Sequence, residues 1–165
     1  MRRVYVGGTF DALHPGHLRL LQRAAQMGDV WVSLNTDEFA ASYKRKPLFS
    51  YAERWEMLKA CRYVTEVVKN EGGADSKPAI LKVRPRYLVH GDDWMGESYL
   101  AQMGIDRDFL HEHQIALVYL PYTKGISTSD ILKRKEKDFQ QSLWSYGTTG
   151  TVNTATGDIT WHLSQ

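Results

Sequence analysis

The chain has 165 residues, of which 42% are hydrophobic and 24% charged, and its net charge is +2. That is enough apolar material for one sizeable core, and the composition excludes wholesale disorder. So small a net charge does not by itself imply nucleic-acid or membrane binding, so any anion site has to be local.

Residues 3–7 read as a buried strand, and from Pro15 the pattern turns helical. Leu18, Leu20, Leu21, Ala24 and Ala25 form an apolar stripe, and Gly28 is the stop. Residues 30–34 read as a second strand. Asn35, Thr36, Asp37 and Glu38 then look like a cap and a short helix. Lys44, Arg45 and Lys46 form a basic loop closed by Pro47. Ser50 caps the next helix, with Glu53 at capping-box spacing, and that helix is expected to reach about Arg62. Residues 63–68 read as a third strand, or as a helix end and a shorter strand. A helix over 76–82 carries Pro78 in its first turn, and residues 87–89 open a strand ending at Gly91. Residues 95–114 are polar and helical at best. Residues 116–120 form another strand, stopped by Pro121, and Gly125 to Ser129 precede a helix to about Lys137.

Strands alternating with helices predict an α/β fold, a Rossmann-like doubly wound parallel sheet. His14, Asp37, Asp93 and residues 125–129 then all fall just beyond strand C-termini, the edge that holds ligands in open α/β sheets. A domain over 1–137 and an extension over 138–165 are expected. The extension is rich in Gly, Thr and aromatics, and a turn at Gly157 and Asp158 would pair two short strands, with 159–163 as the second. A hairpin, an interface-covering segment and a loosely ordered tail all remain open. The single cysteine, Cys61, excludes an intrachain disulfide and fits a reducing compartment. Asp11 and His14 interrupt any signal-peptide core, and no apolar run approaches a membrane span, so a cytoplasmic protein is expected.

The chemistry gathers at Gly8-Thr9-Phe10-Asp11 and His14-x-Gly16-His17. Two histidines and several backbone N–H groups meet where a helix begins, an arrangement suited to polyanionic phosphate. Glycines allow close approach, and Thr9 adds a hydroxyl. Asp11 could orient a histidine, reach magnesium through water, or make an ordinary structural hydrogen bond. Arg54 can grip phosphate bidentately, as a clamp on an acceptor. Asp93 can accept from ribose or base, while Trp94 either walls a pocket or packs in the core. Ser127, Thr128 and Ser129 offer hydroxyls at another helix start, where one of them is also expected to cap. His90, His111 and His113 lie in unrelated contexts, so no metal site is expected from the protein itself. The run from Lys133 to Lys137 is a solvated helix end.

The segment with His14 and His17 resembles the signature of the HxGH nucleotidyltransferases. Further blocks recur in order: Thr36-Asp37-Glu38-Phe39, Ser50-Tyr51-x-x-Arg54, Arg62-Tyr63-Val64-x-Glu66-Val67, Gly91-Asp92-Asp93-Trp94 and Gly125-Ile126-Ser127-Thr128. Over roughly residues 1–136 the chain is similar to the glycerol-3-phosphate cytidylyltransferases. The resemblance implies transfer of CMP from CTP, with Mg2+, to a small phosphorylated alcohol, sn-glycerol 3-phosphate. It also implies a homodimer and a product that feeds a wall- or capsule-type polymer. It makes His14, His17, Lys44 and Lys46 catalytic. Gly8, Thr9, Phe10, Asp11, Gly16, Arg62, Gly91, Asp93, Trp94 and residues 123–129 (Thr123, Lys124, Gly125, Ile126, Ser127, Thr128, Ser129) would contact nucleotide. Arg54 and Lys77 would bind the acceptor. For Arg62 a carboxylate pair, and for Lys77 a plain surface position, are the alternatives.

The sequence departs from that family in three places. Tyr122 stands where an arginine usually precedes the Thr-x-Gly-Ile-Ser-Thr block, with Lys124 nearby to restore charge. Residues 95–114 are longer than the usual connection, and the tail is additional. These leave open the same chemistry on another phospho-alcohol or a phosphonate. A non-catalytic nucleotide-binding module is the alternative from a different class.

Overall fold

A computed structural model describes residues 2–92, 95–121, 123–145, 148–152 and 159–163. Five parallel strands form one sheet: β1 (Arg3–Gly8), β2 (Asp29–Asn35), β3 (Glu66–Asn70), β4 (Tyr87–Gly91) and β5 (Ala116–Leu120), in the order β3-β2-β1-β4-β5. The chain moves outward from β1 to β3, then returns to lay β4 on the other side of β1. The order therefore reverses between β1 and β4, the Rossmann-like switch point expected from the alternating elements.

Strand periodicity divides the core. Val4 and Val6 of β1 join Val30, Val32 and Leu34 of β2 on one face, covered by Leu21 and Ala24 of α1 (Pro15–Ala25) and Leu58 of α3 (Tyr51–Lys59). Tyr5 points to the other face with Leu88, beneath Ile80 and Val83 of α4 (Lys77–Val83) and Leu100 of α5 (Glu97–Gln102). A parallel sheet covered on both faces needs such continuous apolar strands. Two shorter helices complete this unit, α2 (Asp37–Tyr43) and α6 (Arg107–Glu112).

Several boundaries differ from the sequence expectation. α3 stops at Lys59, and turns with Cys61 N–H on Leu58 O and Val64 N–H on Cys61 O delay β3 to Glu66. Residues 63–65 look strand-like, but ladder pairing with β2 begins only at Trp31 and Glu66. Residues 95–114 are more ordered than expected, forming α5 and α6 with Tyr99, Leu100, Met103, Ile105 and Leu110 buried. Each helix has only six residues, too few to show a period, yet tertiary contact stabilises both.

By compactness the chain divides into two units, Met1–Ile126 and Ser127–Gln165. The second holds α7 (Thr128–Ser145) and an antiparallel pair, β6 (Thr148–Val152) with β7 (Ile159–Leu163). α7 runs beyond the expected end at Lys137. The paired strands match the hairpin alternative, whose expected turn at Gly157 and Asp158 lies outside the described residues. No helix among the described residues is long and apolar enough to cross a membrane.

Candidate active site

The turn between β1 and α1 is tightly specified. His14 is the N-cap of α1, and its Nδ1 accepts the Gly16 N–H at 3.1 Å. His17 answers from the first turn, with Nδ1 accepting the His14 N–H at 3.4 Å. This is a reciprocal cap made by two imidazoles in place of the usual hydroxyl and carboxylate. The rings stack with centroids 3.8 Å apart. Because both Nδ1 atoms accept, each neutral ring carries its proton on Nε2 and can donate from there. Burial, with the charges of His14 and Lys44 outweighing that of Asp11, lowers the His17 pKa to about 3. His17 is thus neutral at physiological pH.

The glycines of the turn serve differently from the expectation. The left-handed backbone falls on Phe10 (φ 50) and Ala12 (φ 47), not on Gly7 or Gly8. A Cβ on Gly8 would meet the Phe10 ring at 3.0 Å, and one on Gly16 would meet His14 Cε1 at 2.9 Å. These positions are small because rings lie over them. Non-glycine residues held at positive φ beside a ligand edge are stored strain.

The basic loop is anchored by Asp11. Its carboxylate accepts from Leu48 N–H at 3.0 Å and Phe49 N–H at 3.2 Å, and pairs with Arg45 at 3.1 Å. Of the alternatives for Asp11, the structure supplies the structural one, with the consequence that residues 44–49 are tied to the β1 turn. Lys44 and Lys46 are exposed, and the Lys44 charge reaches His17.

Arg54 is a correction. It was expected as a clamp on acceptor phosphate, but it is fully buried, with 0% exposure. Its guanidinium donates to Thr9 O at 2.6 Å, Phe49 O at 3.0 Å, Asn35 O at 3.0 Å and Asp37 Oδ1 at 2.6 Å. It therefore fastens the phosphate turn, the end of β2 and the end of the basic loop to one another. Burial acts to raise the Asp37 pKa, but hydrogen bonds from Arg54 and the Tyr51 N–H, with the charges of Arg54 and Lys46, hold it below the ordinary value.

A second network was not anticipated. Asn70 Nδ2 donates to Asn35 Oδ1 at 2.8 Å and to Gly73 O at 2.9 Å. Asn35 Nδ2 donates to Thr9 Oγ1 at 3.3 Å and to the Tyr43 hydroxyl at 3.1 Å, and these two hydroxyls lie 3.0 Å apart. Asn35 and Asn70 are register partners in the sheet. The available signal was an asparagine closing each of two strands, β2 and β3.

The remaining residues fall into four groups. Gly91 ends β4 at the same sheet edge, as do Thr123, Lys124, Gly125 (φ 78) and Ile126 after β5, and Lys77 opens α4 there with its side chain exposed. Arg62 is a second correction: it precedes β3, so it stands at the opposite edge, over the Tyr63 ring at 5.7 Å. In the second unit, Ser127 caps α7, accepting from Asp130 N–H at 3.1 Å and donating to its carboxylate at 2.7 Å, while Thr128 and Ser129 begin the helix. Asp93, Trp94 and Tyr122 lie outside the described residues. Among the described residues no group of three or more His, Cys, Asp or Glu side chains could hold a metal ion.

A Rossmann-like sheet with a histidine-capped helix and a tethered lysine loop at its switch point defines a nucleotide-handling enzyme class. The cytidylyltransferase-like family model matches residues 5–134, and the chain belongs to that family. It is similar to the glycerol-3-phosphate cytidylyltransferase of Bacillus subtilis (strain 168), with 41% identity over 132 residues, covering 79% of this chain and 95% of that protein. The protein of the same name from Staphylococcus aureus is 39% identical, covering 79% of this chain and 92% of its own length. The fold also matches that of a solved lipopolysaccharide core biosynthesis protein from Thermoplasma volcanium, with a TM-score of 0.62, 22% identity and coverage of 75% of this chain and 99% of that one.

Proposed function

We propose that this chain transfers CMP from CTP to sn-glycerol 3-phosphate, giving CDP-glycerol and pyrophosphate. The observation that carries the reading is the His14–His17 pair, which turns both Nδ1 atoms to the main chain and so puts the Nε2 side of each ring away from the cap. The relatives supply the substrates: both bacterial proteins named for this reaction match over nearly their whole length.

The reaction displaces pyrophosphate from the α-phosphorus by an acceptor phosphate oxygen. One P–O bond forms and one breaks, and charge builds on the leaving group. No covalent enzyme intermediate is needed, so positioning and preorganised donors supply the rate. The main-chain N–H groups at the start of α1 are taken up by the cap, so the imidazole Nε2–H groups would donate to the triphosphate as it departs. Gly8, Thr9, Phe10 and Gly16 would shape the cradle. Gly91 and residues 123–126 would lie against the nucleoside. Lys44 and Lys46, with Lys77 across the edge, would bring in the anionic acceptor.

Magnesium would arrive with CTP. The Asp11 and Asp37 carboxylates are engaged by main-chain N–H groups and arginines, so they do not form a reserved cage. Phosphate oxygens and water would hold the ion, whose chemistry is to neutralise phosphate charge. A homodimer is carried by analogy with the family, and a cytoplasmic location follows from an intracellular nucleotide substrate. A product feeding a wall- or capsule-type polymer belongs to the same proposal.

Pyrophosphate release with magnesium tests the reading. CTP and ATP would each meet glycerol 3-phosphate, phosphoethanolamine, phosphocholine, a hydroxyalkylphosphonate and phosphopantetheine. Release with CTP and glycerol 3-phosphate alone is expected. Release with CTP and another acceptor would keep the chemistry and replace the acceptor. CTP binding without release on any acceptor would instead point to a nucleotide-binding module.

A further inference from the structure

The polar network beside the phosphate turn has a direction. Asn70 uses both amide protons, on Asn35 Oδ1 and Gly73 O, so its orientation is fixed. That in turn fixes Asn35: its oxygen faces Asn70, and its two amide protons face Thr9 Oγ1 and the Tyr43 hydroxyl. Both asparagines are buried, with exposures of 8% and 4%, so water does not compete freely for these bonds.

The two hydroxyls then share one bond, at 3.0 Å. One of them spends its proton on the other, and each has already accepted from Asn35. Either hydroxyl can donate by geometry; with the phenol, the more acidic of the two, as donor, Tyr43 gives its proton to Thr9. Thr9 Oγ1 then accepts twice, and both lone pairs are filled. Its own proton has no protein acceptor among the described residues. The network therefore ends in a single hydroxyl donor at the β1 turn, with its acceptor capacity used up. A phosphate oxygen, which only accepts, is the matching group.

We infer that Asn70, Asn35 and Tyr43 are positioning residues that set the Thr9 hydroxyl as a donor toward the triphosphate. This inference rests on the nucleotide-transfer reading above. Tyr43 is also the last residue of α2, immediately before Lys44, so the same hydroxyl pins the start of the basic loop to the phosphate turn. The arrangement couples residues from β2, β3 and α2 to one atom that touches substrate.

Tyr43→Phe tests it. The variant removes one oxygen and keeps the ring, which packs against Phe39 at 5.0 Å, so the fold should hold. CTP affinity by calorimetry should fall about tenfold, the loss of one hydrogen bond to a charged group. KM for CTP should rise with it, while the melting temperature stays put. Thr9→Val should lose at least as much, and the double variant Tyr43→Phe/Thr9→Val no more than Thr9→Val alone, because the two act through one donor. Wild-type CTP affinity in Tyr43→Phe, or losses that multiply in the double variant, would overturn the relay. If the wild-type protein binds CTP but transfers CMP to no acceptor, the catalytic reading fails while calorimetry on the same variants still decides the relay. If the wild-type protein does not bind CTP, both fall.

Discussion

The imidazoles of His14 and His17 stack 3.8 Å apart while each accepts a main-chain N–H through Nδ1. Capping therefore uses one side of each ring, and the donation to phosphate proposed above would use the other. His14→Ala should lose both, about 1 kcal/mol of stability for the cap and turnover by about 100- to 1,000-fold for the lost donor. His14→Asn separates them, since its amide oxygen can still accept the Gly16 N–H. Its melting temperature should return toward wild type while turnover stays low. Turnover restored along with the melt would mean that His14 acts only as a cap.

The buried position of His17 gives a pH prediction with a definite sign. Its pKa falls from 6.5 in the unfolded chain to about 3 in the native one. Between those values the unfolded chain binds a proton that the folded ring refuses, so stability decreases as pH falls from 6.5 toward 3 and is complete above 6.5. An NMR titration should show the His17 Cε1 proton unmoved at pH 5. Denaturant melts of His17→Gln should have a shallower pH slope than wild type over this window. A His17 midpoint near 6.5 would remove the argument for a neutral donor.

Gly16 is small because a ring occupies the space a methyl would need. A Cβ there would come within 2.9 Å of His14 Cε1, and the stacked His17 ring limits how far His14 can retreat. Gly16→Ala gains up to about 1 kcal/mol of helix propensity. The expected outcome is an undiminished melting temperature with strongly reduced turnover. Full activity in a steady-state assay would show that the ring can move at no cost to catalysis.

Arg54 joins three loops through a planar fork that lysine cannot copy. Arg54→Met should cost several kcal/mol, about 1–3 for each of the carbonyls of Thr9, Asn35 and Phe49 that loses its donor, while the half-exposed Asp37 adds little. Arg54→Lys should recover little of this. Chemical denaturation of both variants checks it. A lysine variant as stable as wild type would show that charge alone, without the fork, holds the loops.

The carboxylate of Asp11 holds the loop bearing Lys44 and Lys46. Asp11→Ala should speed amide hydrogen exchange at Leu48 and Phe49 and raise KM for the acceptor. Exchange unchanged at those two amides would mean that Arg54 alone suffices as the tether.

The parallel sheet, the caps at Thr36 and Ser50, and the histidine-capped helix were legible because each depends on residues within a few positions of one another. The apolar runs of β1, β2 and β4 state their burial directly, whereas β5, at the sheet edge, is only partly covered. The helices α5 and α6 were not legible, since six residues each carry too little periodicity and only the apolar surface beneath them stabilises the turns. The start of β3 differs from the strand reading of 63–68 because strand propensity at Tyr63 and Val64 yields to the register imposed by β2.

The site shows the same division. Sequence alone determined which residues could meet phosphate, since the turn from strand to helix puts Thr9, His14 and His17 together within one segment. Only the tertiary structure decided what holds them there. Arg54 reaches Thr9 across 45 positions, and Asn70 reaches Asn35 across 35. A guanidinium has the same local pattern whether it grips a ligand or three backbone carbonyls. Which of these it does depends on whether water or protein surrounds it, and folding moved Arg54 from the expected clamp to a buried tie.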